Sequence, residues 1–233
     1  IAQMSDGPTK RRQTQTQKHH QHFNSTGATM GMGIRSGIAH NPPPFFSAGR
    51  IRQDLIQTTT LKIGKRLKHM TERVSPGYDQ IWDCCCDHGL LGMTLLFQKT
   101  TAQLHFVDIV PALMNELEQR LRQFFPHDAD PRQHWQVHCI DVARLPIDQH
   151  DGRHLVIIAG VGGDLTADLL EAIHRQHPHA AIDYLLCPAN RPQYPRRTLM
   201  RLGFHCLDEQ LVAENDRIYE VLAVSARPQP GAG

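Results

Sequence analysis

At 233 residues, with 25 Lys and Arg against 23 Asp and Glu, the chain is long enough for one ample domain and an added segment. It holds no run of about 18 uncharged apolar residues, which excludes a helical membrane span, and its opening Ile1-Ala2-Gln3-Met4 lacks the apolar core of a secretory signal. Three of the six cysteines are adjacent, a spacing that disfavours disulfides, so a reduced cytoplasmic protein is expected.

Residues 1–60 differ from the rest. They are rich in Gln, His, Thr, Gly and Pro, and carry seven basic but two acidic side chains, which leaves the remainder slightly acidic. With few apolar residues at any period, this segment is expected to be a disordered basic extension. Its charge would suit loose contact with RNA. A folded domain is expected over 61–227, with a flexible tail over 228–233. Its first element is a basic helix over 61–74. Ile63, Leu67, Met70 and Val74 line one face, Lys62, Lys65, Arg66, Lys68, His69 and Arg73 the other, and Ser75-Pro76-Gly77 ends it. The basic face is either a solvated surface or a phosphate-contacting one.

Strands and helices then alternate. A strand at 80–84 leads to a helix at 91–98, a strand at 104–108 to a helix opened by Pro111, and a third strand is expected at 134–139. The unbroken apolar run Leu155–Ala159 reads as a strand buried on both faces. A helix at 165–174, a strand at 183–187 and a helix around 196–202 follow. Two last strands, near 204–209 and 218–224, flank a turn at Glu214-Asn215-Asp216. The fold class is therefore α/β: a doubly wound, seven-stranded sheet closed by a terminal antiparallel strand pair.

Four loops leave the carboxyl ends of these strands, the edge where open α/β sheets bind ligands. The first is Asp83-Cys84-Cys85-Cys86-Asp87-His88-Gly89. The second carries Asp108 and Ile109, with an acid suited to ribose hydroxyls. The third carries Asp141 and Val142. The fourth is Ala159-Gly160-Val161-Gly162-Gly163-Asp164, whose glycines let backbone approach a ligand closely. Each feature alone has a plain structural reading: a strand-end Asp often caps a helix, and Asp87 could cap the one beginning near Gly89. A dinucleotide site would want Gly-x-Gly-x-x-Gly where cysteines stand, and no Gly-Lys-Ser/Thr phosphate loop is present. No metal site is expected. Adjacent cysteines on a strand point to opposite faces and cannot converge on one tetrahedral ion.

The four loops in this order match class I S-adenosylmethionine (SAM) methyltransferases. Asp83–Leu91 further resembles the Asp-x-Gly-Ser-Asp-His-Ala-Tyr-Leu motif of the bacterial tRNA (adenine-22-N1)-methyltransferases, the TrmK family. Ile157–Gly163 resembles that family's Ile-Ala-Gly-Met-Gly-Gly, and Leu186-Cys187-Pro188-Ala189-Asn190 its Leu-Gln-Pro-Asn. Asn215–Val221 resembles its closing Asn-Lys-x-Tyr-Glu-Ile strand, and Lys65-Arg66-Leu67 its Ser-Lys-Arg-Leu. The likeness covers about residues 61–225. Cys85 stands in a glycine's place, Asn190 is displaced by one residue, and the sequence shows no counterpart of the family's C-terminal coiled coil.

The resemblance implies a Rossmann-like fold, SAM as cofactor, tRNA as partner and methyl transfer to adenine N1 at position 22. Asp83, Cys85, Asp87, His88, Gly89, Asp108, Ile109, Asp141, Val142, Ala159, Gly160, Gly162 and Gly163 are then the cofactor-binding candidates. Asp87 and, second to it, Asp164 are the candidate proton acceptors. Lys62, Lys65, Arg66, Arg191, Arg196 and Arg197 are candidate RNA contacts. No protein partner can be inferred. The competing readings are a methyltransferase acting on a protein or small molecule, and a noncatalytic SAM- or RNA-binding module.

Overall fold

A computed structural model describes residues 63–127 and 134–227. The expected extension over 1–60, the tail over 228–233 and the candidate RNA contact Lys62 lie outside the described residues.

The chain enters through α1 (Lys65–Glu72) and then winds β1 (Gln80–Cys84), α2 (Leu90–Phe97), β2 (Gln103–Asp108), α3 (Pro111–Phe124) and β3 (Trp135–Cys139). Two single turns, Val142–Arg144 and Ile147–Gln149, lead into β4 (His154–Ala159), α4 (Gly163–Gln176), β5 (Ile182–Cys187), α5 (Gln193–Leu202), β6 (His205–Glu214) and β7 (Arg217–Ser225). The seven strands form one sheet in the order β3-β2-β1-β4-β5-β7-β6. β3-β2-β1-β4-β5 run parallel, while β7 lies antiparallel to both β5 and β6. This is the expected doubly wound sheet with its antiparallel edge.

Both faces of the sheet are covered, which explains the continuous apolar runs of the central strands. One core layer packs Leu104, Phe106, Ile157 and Leu185 under Met93, Leu96, Met114 and Leu117 of α2 and α3. The other packs Trp82, Val107, Val156 and Leu186 under Leu169, Leu170 and Leu199 of α4 and α5. At about 25 cal/mol per Å² of apolar surface buried, these two layers dominate the stability.

Three differences from the sequence reading have local causes. β6 runs on to Glu214 because it pairs with β7 as far as Glu214 opposite Arg217. The turn between them places Asn215 and Asp216 at φ 50° and 58°, the two positive values of a tight hairpin turn. α4 begins at Gly163 and α5 at Gln193, earlier than apolar periodicity indicates, because their first turns carry glycine and polar residues. α1 stops at Glu72, so Val74 packs against the core from outside the helix.

α1 is strapped across the terminal hairpin at both ends. Glu214 Oε1 accepts the Arg66 backbone N–H at 3.1 Å, and the Arg66 guanidinium lies 4.8 Å from the Tyr219 ring centroid. Arg73 Nη1 donates to Asp208 Oδ2 at 3.1 Å. Opposite the ligand edge, Asp183 anchors the strand ends. Its carboxylate accepts from Ser225 Oγ (2.6 Å), Arg153 Nη2 (2.6 Å), Tyr78 Oη (3.0 Å) and Arg227 Nη2 (3.1 Å). Burial alone would raise the Asp183 pKa, but Ser225, Arg153 and Tyr78, with the Arg227 charge, hold it below the usual carboxylate value.

Candidate active site

The parallel strands bring the four loops to one edge. β1, β2 and β4 are in register, with Cys84 opposite Val107 and Ile158, so Cys85, Asp108 and Ala159 emerge together. Asp108 joins two of the loops. Its Oδ2 accepts the Asp87 N–H and its Oδ1 the Val110 N–H, both at 3.2 Å. Each oxygen accepts one of these bonds and has a second lone pair, on a carboxylate that is partly exposed. Beside it Ile109 is 65% exposed, an apolar face at a strand end where a core residue would be expected. Asp141 closes its loop by accepting the Ala143 N–H at 2.9 Å, and Val142 is buried in the core, so its side chain is not offered to a ligand.

The first loop is bent by two residues in the left-handed region, Cys85 at φ 55° and Asp87 at φ 51°. Such values favour glycine. Asp87 does not cap α2: the N-cap residue is Gly89, which is buried against Leu117, and the first-turn N–H of Gly92 is taken by Asp83 instead. Instead the Asp87 carboxylate stands exposed, 3.6 Å from His88 Nε2. The His88 carbonyl is held by Arg120 Nη2 of α3 at 2.7 Å, a contact that no sequence motif announced. Asp83 is buried and turned away from solvent. Its carboxylate accepts the Gly92 N–H of α2 at 2.9 Å, so it positions the loop and helix rather than facing a ligand. Burial, only partly offset by that hydrogen bond and reinforced by Asp108, pushes its pKa up to about 7. Burial likewise raises the Cys85 thiol to about 11 and the Cys86 thiol further, so neither is a reactive thiolate. Among the described residues no group of three or more His, Cys, Asp and Glu side chains is placed to hold a metal ion.

The fourth loop is woven to the loop after β5. Gly160 N–H donates to the Cys187 carbonyl (3.1 Å), Ala189 N–H to Val161 (2.8 Å) and Gly163 N–H to Asn190 (3.0 Å). A side chain at Gly163 would meet the Arg191 carbonyl oxygen at 2.1 Å, so only glycine permits this approach. Gly160 has φ +82° and open space where a side chain would stand. Gly162 opens α4, its carbonyl accepting from Thr166, while Asn190 Oδ1 lies 3.4 Å from the site a Gly162 side chain would occupy. Asn190, displaced in the sequence motif, therefore still lies against the glycine loop. Asp164 is paired with Arg191 at 3.2 Å.

The candidate RNA contacts divide in two. Arg66 is spent on Glu214 and Tyr219, and Arg196 binds Glu220 through two hydrogen bonds (2.9 and 2.7 Å) and also Glu209. Both are structural, because folding places carboxylates against them. Lys65 and Arg197 are exposed without an ion pair among the described residues, and Arg191 is exposed beside Asp164. No described helix is long and apolar enough to cross a membrane.

Residues 63–222 match the family model described as a methyltransferase domain. No curated protein matches the chain. The fold is similar to Sp1610 of Streptococcus pneumoniae, described as a candidate tRNA (m1A22) methyltransferase, at 24% identity and TM-score 0.62 over 73% of each chain. It is similar to the Bacillus subtilis m1A22 tRNA methyltransferase TrmK at 22% identity and TM-score 0.59, over 72% of this chain and 68% of that one. It is also similar to Mycoplasma capricolum TrmK in complex with S-adenosyl-homocysteine, at 17% identity and TM-score 0.58, over 70% and 69%. At these identities the likeness establishes the fold.

Proposed function

Because the chain belongs to the methyltransferase-domain family, we propose that it transfers a methyl group from S-adenosylmethionine to N1 of an adenine in tRNA, at position 22. The observation that carries this reading is the edge itself. Asp108, with a second lone pair on each oxygen, beside exposed Ile109 and across from the open backbone at Gly160, offers a diol acceptor, an apolar ring face and close-approach backbone. That donor and acceptor set fits an adenosine carrying an amino-acid tail. Asp87 and His88 stand at the amino-acid end, and Asp141 at the base end. The solved TrmK structures, one of them with S-adenosyl-homocysteine, support the same choice of cofactor and substrate.

When bound, the cofactor supplies an electrophilic methyl group on a sulfonium sulfur. Adenine N1 carries a lone pair and no proton, so the attack forms the N–C bond and breaks the S–C bond without a base. N1 is engaged in Watson–Crick pairing, and the base must leave its stack first. The protein then contributes alignment and charge. The exposed Asp87 carboxylate stabilises the cation developing on the ring, and the open space at Gly160 leaves room for the base. The free thiols suit a reduced, cytoplasmic setting.

The test uses the full chain. Calorimetry should show SAM binding, and labelled methyl should pass to a tRNA transcript with adenine at position 22 but not to one lacking it. Equal labelling of both transcripts would remove the position, and no SAM binding would remove the reading.

A further inference from the structure

The loop that presents Asp87 and His88 is held in a shape its own residues resist. Cys85 and Asp87 stand in the left-handed region at φ 55° and 51°, which is unfavourable for any residue with a side chain. The shape is therefore imposed by contacts. Cys86 N–H donates to the Val107 carbonyl (3.2 Å), Asp87 N–H to Asp108 Oδ2 (3.2 Å) and Gly89 N–H to the Cys86 carbonyl (2.7 Å). The His88 carbonyl is held by a side chain from outside the four loops, Arg120 of α3.

That contact belongs to a larger arrangement. α2 would reach one residue further back if the Gly92 N–H bonded the His88 carbonyl, its partner four positions earlier. Two charged side chains divide that bond between them. Asp83 Oδ2 accepts the Gly92 N–H at 2.9 Å, and Arg120 Nη2 donates to the His88 carbonyl at 2.7 Å. His88 is thereby kept in the loop. α3 makes its contacts from one face: Leu117 packs against Gly89, and Arg120, three positions on, reaches His88. The placement does not serve Arg120's own hydrogen bonding, since its Nε is buried without a partner among the described residues.

We propose that Arg120 is a positioning residue for the cofactor: by holding the His88 carbonyl it sets Asp87 and His88 against the amino-acid end of SAM. The proposal rests on the reading of the chain as a SAM-dependent methyltransferase and adds to it a residue outside the four loops. The adenosine end relies on Asp108, Ile109 and Asp141, none of which Arg120 contacts. Arg120 therefore governs affinity for the amino-acid tail and leaves the nucleoside unaffected.

The test is calorimetry of the full chain with S-adenosyl-homocysteine, and with 5′-methylthioadenosine measured by displacement of it. The second ligand keeps the nucleoside and the thioether and lacks the amino-acid group. Arg120→Met keeps the stem and removes the donor. It should weaken S-adenosyl-homocysteine binding by about 10-fold, and 5′-methylthioadenosine binding by less than about twofold. Arg120→Lys should restore S-adenosyl-homocysteine affinity to within about threefold of wild type, because a single donor–acceptor contact does not need the guanidinium fork. In turnover, Arg120→Met should raise KM for SAM with little change in kcat. The ratio of two affinities does not depend on how much of a sample is folded, so a merely structural Arg120 would leave that ratio unchanged. Equal weakening of both ligands, or wild-type S-adenosyl-homocysteine affinity in Arg120→Met, would overturn this role and leave the methyltransferase reading intact. Failure of the wild-type chain to bind S-adenosyl-homocysteine would overturn both.

Discussion

Two buried groups should oppose each other in the acid stability of this fold. His105 is fully buried on β2, stacked 3.8 Å from the Trp82 ring and bonded to His138 Nε2 (2.9 Å) and Gln80 Oε1 (2.8 Å). Burial, aided by His138, His150 and His154, pulls its pKa down to about 2 from an ordinary 6.5. Below 6.5 the unfolded chain binds a proton that the fold refuses. Stability is therefore lost as pH falls, by about 1.4 kcal/mol per unit. Asp83 has the opposite sign. Its pKa is pushed from 3.8 up to about 7, so between those values the fold binds a proton that the unfolded chain does not. Stability is gained as pH falls, again by about 1.4 kcal/mol per unit.

From pH 6.5 to 4.5 the two contributions are each about 3 kcal/mol and nearly cancel. Each single variant should expose the other group. His105→Gln should gain about 3 kcal/mol relative to wild type across that interval, and Asp83→Asn should lose as much. Urea unfolding at half-unit pH steps measures both differences. Three parallel curves would refute the assignment of these two groups, whatever the absolute stabilities.

Cys85 occupies a left-handed backbone position at φ 55°. Relief of about 1 kcal/mol of strain in Cys85→Gly is offset by a similar chain-entropy cost. The thermal midpoint should move little and SAM affinity should hold or improve, and a large loss of affinity by calorimetry would count against the loop assignment. Asp108→Asn should weaken SAM binding by about 10- to 100-fold through loss of a charged acceptor, with an unchanged circular dichroism spectrum showing the fold intact. Asp183→Ala should cost about 3 kcal/mol in urea unfolding, since it leaves Arg153 and Arg227 side by side without their shared carboxylate. A change below about 1 kcal/mol would mean the cluster is not the anchor described.

The sequence by itself determined the alternation of strands and helices, because apolar period is a local property that each element carries within its own residues. The bounds of β1 and a doubly wound sheet closed by an antiparallel strand pair follow from it, whereas the strand order β3-β2-β1-β4-β5-β7-β6 came from the tertiary structure. So does the edge holding Asp87, Asp108, Asp141 and the glycine loop, since every such loop leaves a strand's carboxyl end. Only the tertiary structure decided what the charged residues do. Arg66 and Glu214 stand 148 positions apart, and no local pattern announces that they meet. The same holds for Arg196 with Glu209 and Glu220, and for Asp83, whose burial turns an apparent ligand contact into a support for α2. A side chain's partner and its exposure depend on elements brought together from across the chain. Which cations remain free for a polyanion is settled by folding alone.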